Sequence, residues 1–404
     1  MDAASPAASA AAWPDQLLDV AAVRAGGRRP TPFRDFVLKV HQRCNLACDY
    51  CYVYTKADQS WRTRPVAMPD AVVDAAAARI SAHVQRHRLD EVQVVLHGGE
   101  PLLAGWQRLV SLAGRVRRAL PASTAVRVYV QTNGLLLDEA SLDGLLEAEI
   151  HVGVSLDGAR ADNDRHRRHV NGHSSYSALH QALTLLSATP YRSVFAGLLC
   201  TVDPRADPVA CFDGLLRYAP PAVDFLLPHA NWSSPPVGSG YGRWLATAFD
   251  RWYSPGPPPT QVRLFEEVVH LLLGGASRTE QVGLSPAAVV VVESDGAIEQ
   301  SDALKSAYAG ATATGLNVMT DGFDAALEHP GVVARQIGLA ALSATCLQCP
   351  VHEVCGAGHY AHRYRAGAGF RNPSVYCADL RLFIDHVRHR VTSDLAALAH
   401  RTDR

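Results

Sequence analysis

The sequence has almost no net charge: 38 lysines and arginines stand against 39 aspartates and glutamates in 404 residues. That balance leaves no overall electrostatic footprint for nucleic acid or an anionic membrane surface, and neither is expected as a partner. Apolar runs near the ~20 residues needed to span a bilayer are missing too, the longest being strand-like pieces such as AAVVVV at 287–292. The opening MDAASPAASAAAWP lacks a basic start and a long apolar core; it is expected to be a disordered tail and not a signal peptide. A cytoplasmic location is the resulting expectation. Structural disulfides are rare there, so the nine cysteines need another reason, and seven of them fall into two groups, which points to metal. Internal repeats and heptad runs are also absent. What is present, 48% apolar and 19% charged residues, is the composition of a soluble enzyme-like globule. The length allows a large α/β domain with a smaller one appended.

From Phe36 onward short β-like runs alternate with helical stretches. FVLKVH is followed by an Ala-rich helix near 70–87, VQVVLHGGEP by a helix near 106–120, and VRVYVQTNG by a helix near 139–149. HVGVSLDG, a helix near 177–187, SVFAGLLCTVD, a further helix and AVDFLLPHA complete the series. Six such runs with helical crossovers predict parallel strands with right-handed connections. A partial barrel and a doubly wound open sheet both fit this alternation. Polar or glycine motifs close nearly every run (HQRC, HGGEP, QTNG, SLDG, CTVD, PHAN), at the rim where barrel enzymes keep their sites. The expected organisation is an N-terminal arm (1–32), the barrel (33–235), a helical bridging region (236–282), a smaller unit (283–390) and a C-terminal helix and tail (391–404).

The stretch CNLACDYC puts Cys44, Cys48 and Cys51 in one loop after the first β run. A cubane iron–sulfur cluster ordinarily takes four thiolates. Three leave one iron open to a ligand that chelates through an amino and a carboxylate group, the pair carried by the methionine end of S-adenosylmethionine (SAM). For this spacing alone, a zinc site or three unrelated thiols is the ordinary alternative. The CxxxCxxC loop resembles that of the radical SAM superfamily, and the other rim motifs resemble its elements in the same order. Gly98-Gly99-Glu100-Pro101 is similar to the GGEP element, whose glycines admit the cofactor closely and whose carboxylate accepts hydrogen bonds from its ammonium group. Gln131-Thr132-Asn133-Gly134 and Ser155-Leu156-Asp157-Gly158 are similar to strand ends that line the cofactor pocket, and Tyr50 stands at the aromatic position near the adenine. The resemblance covers about residues 33–235. It implies an α/β fold, a partial TIM-type (β/α)6 barrel of the radical SAM kind. It also implies a [4Fe–4S] cluster on Cys44, Cys48 and Cys51, with SAM contacts from Tyr50, Gly98, Gly99, Glu100, Asn133, Ser155 and Asp157.

Near the end, Cys346, Cys349 and Cys355 follow a C-x2-C-x5-C spacing, and Cys377 comes later. Such a spacing also suits zinc, and that alternative stays open here. The segment resembles the SPASM domain of radical SAM enzymes, which holds two auxiliary clusters. Two departures bear on the count: Ser301 stands where the G-x4-C cysteine belongs, and His359 where the x3C cysteine belongs. The resemblance thus implies a C-terminal SPASM-like auxiliary cluster domain with one auxiliary [4Fe–4S] cluster, held by Cys346, Cys349, Cys355 and Cys377. The total is about eight irons per chain. Cys200 and Cys211 lie in apolar surroundings and are expected to be inert buried thiols.

A SPASM-type tail implies a peptide or protein substrate. WPDQLLDV, the stretch from RRPTPFRDF to SWRTRP, and CGAGHYAHRYRAGAGFRNPSVYCADL resemble the FxsB-type peptide maturases. Those join an aromatic ring carbon to the β-carbon of a nearby residue in a ribosomally made precursor peptide. The resemblance implies an oxidoreductase that matures such a peptide: a 5′-deoxyadenosyl radical removes a β-hydrogen, and a C–C crosslink (cyclophane) closes with net loss of two hydrogens. An external electron donor such as ferredoxin or flavodoxin is the implied second partner. Asp302 is the candidate base, because sulfatase-maturing relatives place a catalytic aspartate directly after the G-x4-C cysteine and Asp302 directly follows Ser301. A solvated turn aspartate is the alternative. His97 is either a hydrogen-bonded core histidine or a rim group that meets substrate, and the run Arg165–His169 either a solvated face or an anion-binding one. The competing outcomes are thioether formation, formylglycine formation or epimerisation, and a cluster- or zinc-bearing sensor without turnover.

Overall fold

The computed structural model describes residues 13–253 and 256–402. Most of the tail expected at the N-terminus, residues 1–12, lies outside the described residues. Ten strands form one sheet: β1 (Asp35–His41), β2 (Glu91–Gly98), β3 (Ala125–Thr132), β4 (Ile150–Ser155), β5 (Phe195–Thr201), β6 (Ala222–Leu226), β7 (Gln261–Val262), β8 (Val289–Val292), β9 (Ala297–Glu299) and β10 (Ala313–Asn317). Their spatial order is β10-β9-β8-β1-β2-β3-β4-β5-β6-β7. Every neighbouring pair from β8 to β7 is parallel, and only β9 and β10 join as antiparallel edge strands. A doubly wound sheet reverses its strand order partway. Here β1 to β6 run in sequence with a helix in each crossover, so right-handed connections put the helices on one face and curl the sheet into a partial barrel.

The two-residue period of a strand sorts the side chains between core and lumen. On β2, Val92, Val94 and Leu96 are fully buried beneath the helices, while Gln93, Val95 and His97 alternate onto the opposite, half-buried face. The same alternation buries Val128 and Val130 on β3 and Ile150, Val152 and Val154 on β4, leaving Gln131 and Ser155 inward. The crossover helices meet this core with helical spacing: on Trp106–Ala119 the buried residues are Leu109, Leu112, Ala113 and Val116, one stripe at i, i+3, i+4 and i+7.

Two structural facts bear on the division expected at 283–390 and 391–404. β8 pairs directly with β1, Phe36 opposite Val290, so the strands that follow residue 283 extend the barrel's own sheet. The terminal helix runs from Cys377 to Thr402, across position 391. This helix packs against the bridging helix Tyr241–Trp252 so closely that a Cβ on Gly242 would sit 2.4 Å from the Asp379 carbonyl oxygen. The N-terminal arm also docks: Trp13 is buried, and Arg371 lies over its ring at 4.8 Å. Among the described residues no helix is long and apolar enough to cross a membrane.

Candidate functional site

The C-terminal ends of the strands surround a cavity of about 260 Å³. Cys44, Cys48 and Cys51 line it together with Tyr50, Gly98, Gly99, Asn133 and Ser155. Asn133 ties the cysteine loop to β3, its Nδ2 donating to Asn45 Oδ1 at 2.7 Å, and the Leu46 amide points at Cys44 Sγ at 3.4 Å. Burial pushes the Cys44 thiol up to about 11 and the Cys48 thiol up to about 12. A coordinating metal deprotonates such a thiol outright.

The two glycines line the cavity and also meet a steric need of the chain itself. A Cβ on Gly98 would stand 2.0 Å from the His41 carbonyl oxygen, and one on Gly99 would stand 1.8 Å from Tyr54 Oη and 2.6 Å from the Arg43 carbonyl oxygen. They let β2 and the cysteine loop touch backbone to backbone. Gly99→Ala is accordingly expected to destabilise the protein by about 3 kcal/mol and to lower its iron content, measured by urea unfolding and iron analysis. Gly322→Ala, where a Cβ meets nothing within 4 Å, should change neither.

Glu100 sits one layer behind the cavity lining. Its carboxylate accepts from the Leu102 amide (2.9 Å), Thr132 Oγ1 (2.7 Å) and the Asn133 amide (2.8 Å), a set that locks the GGEP turn to the end of β3. Asp157 is likewise buried: it accepts from Tyr50 Oη at 2.5 Å and from the Thr201 amide at 2.9 Å. Burial raises both carboxylates above their usual range. Arg167 completes this corner. Its Nη1 donates to Tyr50 Oη at 3.0 Å, while its buried Nε has no partner. The basic run around it is therefore split: Arg165 and His166 pair with Asp203 (2.7 and 3.2 Å), and Arg167 alone turns into the cavity lining. Spacing gave no sign of which member would be buried.

A second feature missed in the sequence is Lys39, fully buried in β1. Its ammonium is 2.6 Å from Asp302 Oδ2 and 3.4 Å from both His97 Nδ1 and the Gly98 carbonyl oxygen. Its signal was present, since the period that buries Phe36 and Leu38 under the helices turns Lys39 toward the lumen. Behind the pair, Lys305 and Arg64 meet Glu293 at 2.5 and 2.7 Å and Glu299 at 3.3 and 2.6 Å, and Arg64 also meets the more exposed Asp295 at 3.3 Å, an ion-pair network where β1, β8 and β9 meet. Against the cost of burying its charge, the Lys39 and Lys305 ammonium groups hold Asp302 well below the usual carboxylate range. Its Oδ1 is buried without a hydrogen-bond partner. Burial and the Lys39 charge push His97 down to about 4, so it lines the cavity as a neutral ring.

The second thiol group lies elsewhere. Cys346, Cys349, Cys355 and Cys377 line a separate cavity of about 240 Å³, with Cys377 at the first turn of the terminal helix. Four thiolates at the ~2.3 Å Zn–S distance stand ~3.8 Å apart. Among the described residues, groups of three or more potential ligands within 4.8 Å of one another contain no cysteine. Four thiols on the wall of one cavity are the donor set of a cubane cluster. Cys200 and Cys211 are buried with their sulfurs 3.9 Å apart, in the core behind the rim.

Residues 38–201 match the family model of the radical SAM superfamily. A serine-type anaerobic sulfatase-maturating enzyme of Klebsiella aerogenes is 33% identical over 177 residues, 42% of either chain, so the match spans under half of that relative's length. A cysteine-type anaerobic sulfatase-maturating enzyme of Clostridium perfringens is 26% identical over 272 residues, 64% of this chain and 71% of the relative. In structure, the chain is similar to native anSMEcpe with bound AdoMet (TM-score 0.75, 20% identity, covering 90% of this chain and 99% of that one). It is also similar to Streptococcus suis SuiB bound to precursor peptide SuiA (TM-score 0.57, 13% identity, covering 87% and 77%). At these identities the two structures establish the fold.

Proposed function

We propose that this chain, whose residues 38–201 match the family model of the radical SAM superfamily, modifies a ribosomally made precursor peptide, closing a C–C crosslink between an aromatic ring and the β-carbon of a nearby residue. The observation that carries the enzyme class is the convergence of Cys44, Cys48, Cys51, Arg167 and the strand-end residues on one cavity. The finer assignment to cyclophane formation draws on the FxsB-like stretches and on Ser301 and His359 standing where cluster cysteines belong. When bound, the reduced cluster and SAM supply a carbon radical that removes a substrate hydrogen, and the auxiliary cluster supplies an electron sink.

The protein's own part is binding, orientation and proton handling. Cys44, Cys48 and Cys51 would hold one cluster, and Cys346, Cys349, Cys355 and Cys377 the auxiliary one. The Arg167 guanidinium, with its free Nε, lines the first cavity and would receive the cofactor's carboxylate, and Asp157 and Arg167 together fix the Tyr50 ring. Asp302 offers a bare carboxylate oxygen beside the cavity for the proton released when the ring regains aromaticity. The Lys39 and Lys305 ammonium groups keep that carboxylate ionised, so it is free to accept a proton but acts as a weak base. Replacing Arg167 by Gln is expected to raise the KM for SAM ~10–100-fold, the worth of a hydrogen bond to a charged group, with kcat largely kept; initial rates of cofactor cleavage against SAM concentration measure it.

A second outcome, formylglycine formation, is favoured by Asp302 directly following Ser301 and by the names of the sulfatase-maturating relatives. Mass spectrometry of a small precursor peptide encoded beside the gene, co-expressed with the enzyme, separates the two. Loss of two hydrogens per aromatic motif with no reaction toward a hydrazide supports the crosslink. A hydrazide adduct identifies the aldehyde instead.

A further inference from the structure

At the C-terminal end of β6, His229 faces two histidines of the smaller unit, His359 and His362. The ring centroids are 5.3 Å apart for His229 and His359, 5.7 Å for His229 and His362, and 5.2 Å for His359 and His362. One ring nitrogen from each lies within 4.8 Å of the other two. Both nitrogens of His362 and Nδ1 of His229 are buried with no hydrogen-bond partner. Buried polar atoms are nearly always paired, so two buried rings with orphaned nitrogens, set against a third histidine with one nitrogen of each ring within 4.8 Å of the others, mark a site for something that accepts their lone pairs. The space between them is about 30 Å³, walled by Leu226, Leu227, Leu264 and Leu380, room for a single ion.

We propose that His229, His359 and His362 form a binding site for one divalent first-row transition-metal ion, distinct from both cysteine sites. Imidazole nitrogen suits zinc, iron, copper and nickel, and three neutral rings are the donor set of an ion that keeps a fourth position open. All three rings are neutral, because burial pushes His229 and His359 down to about 3 and His362 well below its ordinary value. The charged groups that act on them are Lys56 and the Asp302 carboxylate at His229, Arg335 and Arg363 at His359, and Arg363 at His362. His359 Nδ1 accepts from the Ala361 amide at 3.3 Å, a long contact that the ring gives up on ligation. Tetrahedral nitrogen ligands at ~2.0 Å from an ion stand ~3.3 Å apart, so the rings close by ~1.5 Å at most.

A second histidine cluster shows the contrast. In His83, His87 and Asp324 the ring nitrogens of His83 meet the Phe33 amide and Asp324, both at 3.0 Å, and His87 Nε2 meets Asp324 at 2.6 Å; these rings are already paired and tie the helix Asp70–His87 to the segment before β1 and to the short helix Phe323–Ala326. In the three-histidine site only the His359 Nδ1 contact with the Ala361 amide is of this kind, and both nitrogens of His362 are unpaired. Because His229 also lines the cavity that holds Cys44, Cys48 and Cys51, the ion would lie beside the reaction chamber and join the barrel rim to the smaller unit.

The test uses holoenzyme dialysed anaerobically against a mild chelator and then supplied with Zn²⁺. The expected result is one zinc per chain, with a zinc K-edge spectrum giving nitrogen scatterers at ~2.0–2.1 Å and no sulfur shell. In His362→Ala zinc affinity should fall by more than the ~10–100-fold that loss of an outer partner costs a metal site, with cluster iron unchanged. Zinc bound through sulfur, no zinc retained by wild type, or equal affinity in wild type and His362→Ala would each overturn the proposal. Should His362→Ala fail to fold, the wild-type spectrum decides alone. Its outcome is independent of turnover, so it also stands apart from the peptide assignment.

Discussion

Replacing Cys48 by Ala abolishes cofactor cleavage: release of 5′-deoxyadenosine is expected to fall to the uncatalysed level, a drop of ~10⁶-fold or more for a typical enzyme. The reason is geometric. Cys44, Cys48 and Cys51 line one cavity from a single loop, and two thiols cannot hold a cubane that already lacks a fourth protein ligand. Iron should fall from about eight to about four per chain, because the auxiliary set lies in a separate cavity. The double variant Cys346→Ala/Cys349→Ala, which leaves two thiols in the second cavity, gives the mirror result: iron again falls by about half, while SAM still perturbs the electron paramagnetic resonance signal of the remaining reduced cluster. Iron analysis and that spectrum, taken on both variants, check the assignment of each thiol set. Equal loss of iron from both sites in either variant would contradict two independent clusters.

The second large effect is on stability. Lys39→Met should destabilise the protein by about 3–5 kcal/mol, the cost of removing one partner from a buried ion pair. The Lys39 and Asp302 side chains are 2.6 Å apart and 0% and 11% exposed, so the carboxylate left behind has little water to turn to. Asp302→Asn in the Lys39→Met background removes the stranded charge and should recover part of the loss. The difference between the sum of the single effects and the double effect measures the coupling. The pH dependence has a definite sign. Lys39 and Lys305 hold Asp302 below its ordinary value, so its contribution is fully present above the unfolded-state value of about 3.9 and is lost as pH falls through the lower folded-state value. The stability gap between wild type and Asp302→Asn should therefore be flat from about pH 5 to 8 and shrink below about pH 4. Urea unfolding of the holoenzyme and the three variants across that range reads both effects.

What the sequence disclosed depended on how local the information was. The crossover helices and the rim motifs stood out because hydrophobic period and turn residues are written over a few positions: Asp70–His87 and Trp106–Ala119 fall where the pattern put them. The CxxxCxxC loop was legible for the same reason, all three thiols coming from eight consecutive residues. The strand-like run VVVV was visible, but its pairing with β1 depends on a contact across some 250 residues that no local pattern encodes. Lys39 and Asp302 are 263 positions apart, and nothing near either residue names the other. In the run Arg165–His169, charge alone could not separate the two side chains that meet Asp203 from the one that faces the cavity. His359 was noticed only as a missing cysteine; its meeting with His229 and His362 belongs to the folded chain.

The measurement that tests the central claim most directly is the release of 5′-deoxyadenosine by reduced, anaerobic wild-type enzyme supplied with SAM. The account predicts release that requires reductant, rises when the precursor peptide is present and vanishes in Cys48→Ala. Absence of 5′-deoxyadenosine from protein carrying both clusters at about eight irons per chain would contradict it.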